Sequence, residues 1–295
     1  MSDFICSLCP RRCRALRTDN SGNGICKIPN TLHIARAALH HGEEPCISGT
    51  RGSGTVFFAG CPLQCAFCQN HTISRGVAGK AITPLRLANI FCELVEQGAH
   101  NINLVSPTPY VPLIKKALKQ YKPPVPIVYN SSGYERVETL RSLEGLVDIY
   151  LPDFKYISSD LSAALSNAKN YSSIAEQAIQ EMIRQTGPMV LDDNGIAQRG
   201  TMVRHLVLPG HTKDSLSVID RLREILPNGV WISLLFQYTP LLTVSGFPEL
   251  SRRLTTRECD KVWQYLIDSG FTDGYVQGRE SATTTMIPVF DGTGV

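Results

Sequence analysis

The sequence predicts an α/β protein built on a partial (β/α)6 barrel, related to a TIM barrel but open, with a small cysteine-rich module before it. Two observations lead to this prediction. Short apolar segments alternate with amphipathic segments along residues 51–295, and most of the ten cysteines lie within the first 68 residues. Such alternation is typical of βαβ units around a parallel sheet. We therefore expect a cysteine module at residues 1–50 and a main domain at residues 51–295.

Six segments have the composition of strands that are buried on both faces, since they are short and rich in Val, Ile, Leu and aromatic residues. They are residues 55–59, 102–106, 125–129, 147–151, 202–208 and 231–236. Six strands are too few for a closed eight-stranded barrel, so an open barrel fits better. Functional residues in such folds gather at the carboxyl ends of the strands, and we expect the site there.

Helices are predicted between several of these strands. Thr83 is an N-cap candidate with Pro84 at the first helical position, ahead of an apolar stripe that includes Cys92. Thr255 and Glu258 have the spacing of a capping box, and Gly270 is placed to end that helix. Residues 160–186 form a longer helical stretch, read as one helix or two.

Composition excludes several classes of function. The formal net charge of +3 is too small to indicate binding to nucleic acid or to an anionic membrane. The N-terminus lacks the apolar stretch of a signal peptide, and no apolar run is long enough to span a membrane. We therefore expect a cytoplasmic protein, in which clustered cysteines indicate metal ligands rather than disulfides.

The central motif is a C-x3-C-x2-C loop formed by Cys61, Cys65 and Cys68, directly after the first predicted strand. Three thiolates on one tight loop can hold three irons of a 4Fe–4S cluster and leave the fourth iron open to a ligand. A structural zinc site is the first alternative, but zinc needs four ligands, and His71 would have to be the fourth. A disulfide is the weaker alternative, because the number of thiols is odd.

A second set of cysteines lies in the N-terminal module, namely Cys6, Cys9, Cys13 and Cys26. Four thiolates can close a tetrahedral zinc site, which would stabilise a module too small for its own core. They can equally hold an auxiliary iron–sulfur cluster, and the spacing does not separate the two. A third interpretation is that some are buried thiols, and Cys46 is a candidate for an extra ligand.

Polar residues near the strand ends are further candidates. Arg204 lies within an apolar strand, where burial requires an anionic partner from a ligand or from the protein. Its neighbour His205 points to the opposite face and is expected to be structural. Asp153 and Lys155 form either a surface ion pair or part of the site. The remaining candidates follow the third strand, where Asn130 and Ser132 either bind a ligand or stabilise a turn with Gly133 at positive φ.

The cysteine loop, with Phe67 as the aromatic residue of C-x3-C-x-aromatic-C, resembles the signature of the radical S-adenosylmethionine (SAM) superfamily. Residues 151–155 and 204–210 resemble two strand segments of glycyl-radical-enzyme activases. Nearly the whole chain, including residues 22–26, 43–45 and 101–110, resembles uncharacterised homologues of pyruvate formate-lyase activating enzyme.

This resemblance implies a 4Fe–4S cluster on Cys61, Cys65 and Cys68 that cleaves SAM reductively and produces a 5′-deoxyadenosyl radical. It implies that Phe67 lies near the adenine and that Arg204 meets the SAM carboxylate. It also implies that Asn130 and Ser132 bind the ribose hydroxyls, and that the segment with Asp153 and Lys155 lies at the SAM pocket. The Gly-Gly-Glu of the family is replaced by residues 105–109, so backbone carbonyls together with Ser106 or Thr108 are expected to bind the amino group.

The implied partners are SAM, reduced flavodoxin or ferredoxin as electron donor, and a protein with a reactive glycine as substrate. Two other hypotheses stay open. One is radical modification of another peptide, an RNA or a small molecule. The other is a zinc-binding interaction protein without enzymatic activity, although the intact cysteine trio argues against it.

Overall fold

One ten-stranded sheet, with a two-stranded sheet beside it, organises the computed structural model, which describes residues 4–76, 78–283 and 287–295. The strands are β1 (Phe4–Ile5), β2 (Leu16–Arg17), β3 (Leu32–His40), β4 (Ser53–Phe58), β5 (Lys80–Ile82), β6 (Ile102–Val105), β7 (Ile127–Ser131), β8 (Ile149–Pro152), β9 (Val190–Leu191), β10 (Ala197–Leu206), β11 (Trp231–Leu235) and β12 (Gly274–Gln277). The helices are α1 (Pro45–Ser48), α2 (His71–Ser74), α3 (Pro84–Glu96), α4 (Val111–Gln120), α5 (Val137–Arg141), α6 (Ser159–Ser166), α7 (Tyr171–Thr186), α8 (Thr212–Ile225) and α9 (Thr256–Asp268), and 3-10 turns span Thr108–Tyr110, Pro248–Ser251 and Arg279–Ser281.

The large sheet is mostly parallel and has the order β12-β11-β10-β8-β7-β6-β4-β3-β5, with β9 paired to β10. All neighbours from β4 to β12 run parallel. This run contains the six predicted strands, so the predicted α/β fold class is confirmed. One further parallel strand, β12, was not predicted, because it is short, partly exposed and begins at a glycine.

Strand β3 pairs antiparallel with β4 and β5, so it belongs to the large sheet although its residues fall within the segment 1–50. The cysteine-bearing chain before it forms the separate β1–β2 pair. The N-terminal segment therefore combines a small cysteine-bearing unit with a strand that extends the main sheet.

Side chains alternate between the two faces of the parallel strands. One face packs under the helices, where Tyr129 and Tyr150 join a large apolar core. The other face holds a smaller core, in which Cys46 and Ile47 of α1 contact Val128 and other apolar strand residues. Helix α1 therefore fills part of the inner side of the sheet, and Cys46 is a core residue there rather than an extra metal ligand.

The predicted helix ends are confirmed. Thr83 caps α3 by accepting a hydrogen bond from the Arg86 backbone N–H (3.1 Å), and Thr255 and Glu258 form the capping box of α9. Residues 160–186 form two helices, α6 and α7. The apolar stripe of α3 predicts a core position for Cys92, but this residue is only partly buried. Its thiol faces Glu96, because position 92 lies at the edge of the stripe. Within the described chain, every helix is too short or too polar to cross a membrane.

Candidate active site

The cysteine loop leaves the end of β4 and turns sharply. Gly60 has a φ of +75°, and a Cβ there would come within 2.4 Å of the Ile28 side chain. The backbone N–H of Gly60 donates to the carbonyl of Ile73 (2.7 Å), and that of Ala66 donates to the carbonyl of Leu165 (2.7 Å). These bonds hold the loop against α2 and α6, so the positions of its thiols are fixed by neighbouring helices.

All three loop thiols, on Cys61, Cys65 and Cys68, line one cavity on the inner side of the sheet. Burial raises the pKa of Cys61 to about 12 and also raises the pKa of Cys68, and the neighbouring Cys65 adds to both effects. The Cys65 sulfur accepts a hydrogen bond from the Ser166 hydroxyl at 3.2 Å. Thiolates in such a site need a bound cation, so a cationic metal cluster suits this donor set.

The same cavity receives most of the residues predicted for it. Those that line it are Phe67, Ser106, Asn130, Ser132, Asp153, Lys155 and Arg204. They come from the cysteine loop and from the ends of β6, β7, β8 and β10, so the parallel sheet gathers residues that lie far apart in sequence. The Asn70 Oδ1 atom, in the same lining, is buried and has no hydrogen-bond partner among the described residues. A polar ligand bound in the cavity would supply a hydrogen-bond donor for that oxygen.

Thr108 is the exception, because the structure does not bring it to the cavity. It begins a 3-10 turn, and its hydroxyl donates to the buried carboxylate of Glu135 at 2.6 Å. The hydroxyl of Tyr129 lies 3.4 Å from the other oxygen of that carboxylate. Burial raises the pKa of Glu135 to about 8. Thr108 therefore belongs to a buried network behind the site rather than to its lining.

Asp153 and Lys155 form an ion pair of 2.6 Å inside the cavity, with side chains 23% and 14% exposed. Burial alone would lower the pKa of Lys155, but the Asp153 carboxylate outweighs it, and the pKa is raised overall. Gly133, with a φ of +73°, lets the chain pass close to the Asp153 carbonyl. The pair therefore lines the cavity and is not a solvated surface pair.

Arg204 finds its anionic partner in the protein. Its guanidinium donates to both oxygens of Glu44, through Nε at 2.9 Å and through Nη2, and also to Glu43 at 2.6 Å. Burial would lower the pKa of Arg204, but the two carboxylates raise it overall, and the guanidinium lowers the pKa of Glu44 despite burial. Glu43 also accepts from the Asn103 amide at 2.9 Å. These two glutamates, which precede α1, were not predicted as partners of Arg204.

His205 occupies the opposite face of β10, as predicted. Its Nδ1 lies 2.7 Å from the carbonyl of Phe154, and burial lowers the pKa of the imidazole to about 4. The imidazole is therefore neutral and structural.

The N-terminal thiols of Cys6, Cys9, Cys13 and Cys26 line a second, smaller cavity beside Pro62 of the cysteine loop. Across the described residues, no three His, Cys, Asp or Glu side chains converge closely enough to share one metal ion. A 4Fe–4S cluster imposes a different arrangement, because each thiolate binds its own iron.

Comparison with known proteins is consistent with this geometry. The profile of a family described as the radical SAM superfamily matches residues 55–236. An uncharacterized protein of Methanocaldococcus jannaschii is 32% identical over 266 residues, which cover 87% of this chain and 72% of that protein.

Solved structures share the fold. Streptococcus suis SuiB bound to S-adenosylmethionine has a TM-score of 0.51 at 13% identity, over 74% of this chain and 48% of that chain. SuiB bound to the precursor peptide SuiA has a TM-score of 0.50 at 13% identity, over 74% and 47%. The chain spans about half the length of the SuiB structures that it matches, and at this identity the similarity concerns the fold alone.

Proposed function

Because the chain belongs to the radical SAM superfamily, we propose that Cys61, Cys65 and Cys68 hold a 4Fe–4S cluster at which SAM is cleaved reductively. The observation that carries the proposal is the shared cavity, which joins the three thiols to polar side chains from four strand ends. When bound, the cluster and SAM would supply a 5′-deoxyadenosyl radical that abstracts a hydrogen atom. The protein's own residues bind SAM and orient it.

The contacts proposed for SAM follow from the cavity lining. Phe67 packs near Tyr156 and Tyr238, with ring centroids 6.4 and 6.2 Å away, and offers an apolar wall for the adenine. Asn130 and Ser132 are proposed for the ribose hydroxyls, and Ser106 for the amino group.

The charged residues are assigned to the methionine end of SAM, which carries both the amino group and the carboxylate. Arg204 uses Nε and Nη2 for its described contacts with the glutamates, which leaves Nη1 for the SAM carboxylate. Asp153 and Lys155 are proposed to bind beside it as a pair, so that their net charge is small. Thr108 is no longer proposed as a contact, because its hydroxyl is held by Glu135.

We propose that the hydrogen atom comes from a polypeptide, in the first instance from a backbone glycine of a partner protein. The resemblance to activases supports the glycine, and the precursor peptide bound by SuiB supports a polypeptide more generally. Three other outcomes would replace this assignment. They are hydrogen abstraction from a different residue of a polypeptide, from an RNA, or from a small molecule.

A reduced flavodoxin or ferredoxin is the proposed electron donor. The supporting observation is a groove beside the cysteine module in which basic residues predominate. Lys115, Lys116, Lys119 and Arg136 line it, and its one acidic lining residue, Glu138, is paired with Arg136. A groove of this charge suits a partner with an acidic surface.

In functional terms we propose that residues 1–50 carry the cysteine module and residues 51–295 the catalytic barrel.

The test of SAM cleavage is anaerobic reconstitution with iron and sulfide, followed by reduction and measurement of 5′-deoxyadenosine. Cys65→Ser should abolish the product, whereas Cys92→Ser, a change of the same kind on α3, should leave it unchanged. Equal product from both variants would exclude the proposed cluster site.

The substrate is tested with candidate partner proteins labelled with deuterated glycine. Deuterium in the 5′-deoxyadenosine, with a glycyl radical seen by electron paramagnetic resonance, supports the glycine assignment. Deuterium transfer only from other labelled residues would overturn the glycine assignment and retain a polypeptide substrate. Transfer only from RNA or small molecules would overturn both.

A further inference from the structure

The second cavity brings four thiols together from two stretches of chain. Cys6, Cys9 and Cys13 lie in the loop between β1 and β2, and Cys26 lies in the chain after β2. The rest of the lining is mostly apolar. A Cβ on Gly24 would lie 3.1 Å from the Cys13 sulfur, so the glycine leaves room for that thiol on one side, while residue Cys13 is otherwise exposed. All four cysteines are free of disulfides. A cluster of thiols in apolar surroundings is a set of soft metal ligands.

The backbone around these thiols is strained. Arg12 and Arg14, which flank Cys13, have φ values of +44° and +49°, and Lys27, next to Cys26, has +55°. Left-handed backbone costs a residue other than glycine about 1–2 kcal/mol, so it is retained where the surroundings demand it. Gln64, before Cys65 of the catalytic loop, shows the same feature with +52°. Strain of the same kind thus accompanies both sets of thiols.

Arg17 supplies an independent observation. Its side chain is fully buried, with the residue only 2% exposed, and it forms no ion pair with a carboxylate in the described part of the chain. The guanidinium donates to the carbonyls of Pro29 and Pro109, each at 2.6 Å, and Nη1 lies 3.9 Å from the Cys6 sulfur. A buried cation without a negative partner is costly, and thiolates are the anions at hand.

We propose that Cys6, Cys9, Cys13 and Cys26 ligate a 4Fe–4S cluster of net negative charge, and that the guanidinium of Arg17 balances its charge. Four thiolates carry more negative charge than a 4Fe–4S core neutralises. The cluster therefore explains why Arg17, which has no carboxylate partner in the described part of the chain, is buried against Cys6. A single zinc ion fits less well, because no three described thiols converge on one metal position. This proposal goes beyond the catalytic assignment and does not rest on it.

The first test uses the full chain with Cys61→Ser, Cys65→Ser and Cys68→Ser combined, so that only the N-terminal thiols remain as a set. After anaerobic purification and reconstitution we expect about four irons with matching sulfide, which identifies a cluster. Folded protein that retains no iron, or that holds about one zinc instead, overturns the proposal.

The reciprocal variant separates this proposal from the catalytic one. Cys9→Ser with Cys26→Ser should lose the second centre and keep about four irons at the catalytic loop. The protein with all its cysteines gives the remaining outcome. If it holds metal at the N-terminal thiols but none at the catalytic loop, the proposed function is contradicted and the present proposal stands.

The role of Arg17 is tested in the combined Ser variant by the rate of metal loss to a chelator. Arg17→Met should accelerate the loss about tenfold or more, as removal of groups that contact metal ligands commonly does. Arg14→Met, an exposed arginine of the same module, is the matched control and should have no effect. Arg17→Lys retains the charge and should retain most of the metal; if it behaves like Arg17→Met, or if Arg17→Met behaves like the control, the counter-ion role is wrong.

A folding control keeps this test decisive. With Cys9→Ser and Cys26→Ser already present, Arg17→Met removes a buried charge that has lost its anion, so it should destabilise the protein less than it does with the four cysteines intact. An equal loss of stability in both backgrounds would show that Arg17 acts through packing alone, which would overturn its role as counter-ion.

Discussion

The Nε atom of Arg11 donates a hydrogen bond to the carbonyl oxygen of Pro62 across 2.8 Å and so joins the cysteine module to the cysteine loop that carries Cys61, Cys65 and Cys68. The same guanidinium donates to the carbonyl of Ser166 at 2.7 Å, at the end of α6, and lies over the ring of Tyr134. One planar cation thus satisfies carbonyls from the loop that carries Cys61 and from the helix that supports Cys65. The N-terminal module is therefore part of the structure that positions the thiols of the cysteine loop.

Arg11→Met should weaken the catalytic loop, because several partly buried carbonyls lose their donor. We expect a loss of about 1–3 kcal/mol in the free energy of unfolding, and lower iron retention at the catalytic loop after desalting. Arg11→Lys should keep only part of the lost stability and iron retention, since an ammonium lacks the planar fork that reaches carbonyls on both sides. Arg12→Met, at the exposed neighbouring position, is the control. Equal iron content in the Arg11 and Arg12 variants would contradict the link.

The features that the sequence predicted well are those with a local signal. The parallel strands appear as short apolar runs, and the caps at Thr83 and Thr255 depend on residues three positions apart. The cysteine loop was also identifiable, because its three thiols lie within eight residues of each other. Each of these structures depends mainly on neighbours along the chain.

The features that were missed depend on distant contacts. The partner of Arg204 is Glu44, 160 positions away, and no periodicity links them. Arg17 carries no sign in the sequence that it will be buried between Phe4 and Tyr110. Thr108 follows β6 closely, which suggested the cavity, but the 3-10 turn and Glu135 direct its hydroxyl elsewhere. Chain topology decides these contacts, and topology is set by the whole fold.

Glu44→Gln should be strongly destabilising, because it leaves the buried Arg204 with only one carboxylate. We expect the free energy of unfolding to fall by roughly 3 kcal/mol. This is at the low end for a broken buried pair, because Glu43 still faces the guanidinium. The comparison is Glu93→Gln, which breaks the exposed pair with Arg86 and should cost less than about 1 kcal/mol. Urea unfolding measures both. Similar losses in the two variants would show that the buried pair has no special role.

Glu135→Gln should remove a pH dependence of stability. Burial raises the pKa of this carboxyl from 4.5 to about 8, so the folded protein keeps a proton that the unfolded chain releases. Stability should therefore fall as pH rises between these two values, by at most about 1.4 kcal/mol per pH unit. The glutamine cannot ionise, so its profile should be flatter and it should be the more stable protein at pH 8 and above.

The control for this effect is Glu138→Gln, since that neighbouring carboxylate is 64% exposed. Its profile of unfolding free energy against pH should follow the unmodified protein across the same range. A parallel profile for Glu135→Gln as well would mean that the carboxyl of Glu135 does not titrate between these values.

Ser106 lines the cavity with a φ of +58°, while its backbone N–H donates to the carbonyl of Asn130 at 2.9 Å. Ser106→Gly should raise stability by up to about 1 kcal/mol, because glycine tolerates the left-handed backbone. If the hydroxyl binds SAM, both Ser106→Gly and Ser106→Ala should weaken SAM binding by roughly 2- to 10-fold, the effect of one lost hydrogen bond. Only the glycine variant should gain stability, since alanine retains the strain. Calorimetric titration with SAM and urea unfolding separate the two effects, and unchanged SAM affinity in both variants would show that Ser106 shapes the loop without contacting the ligand.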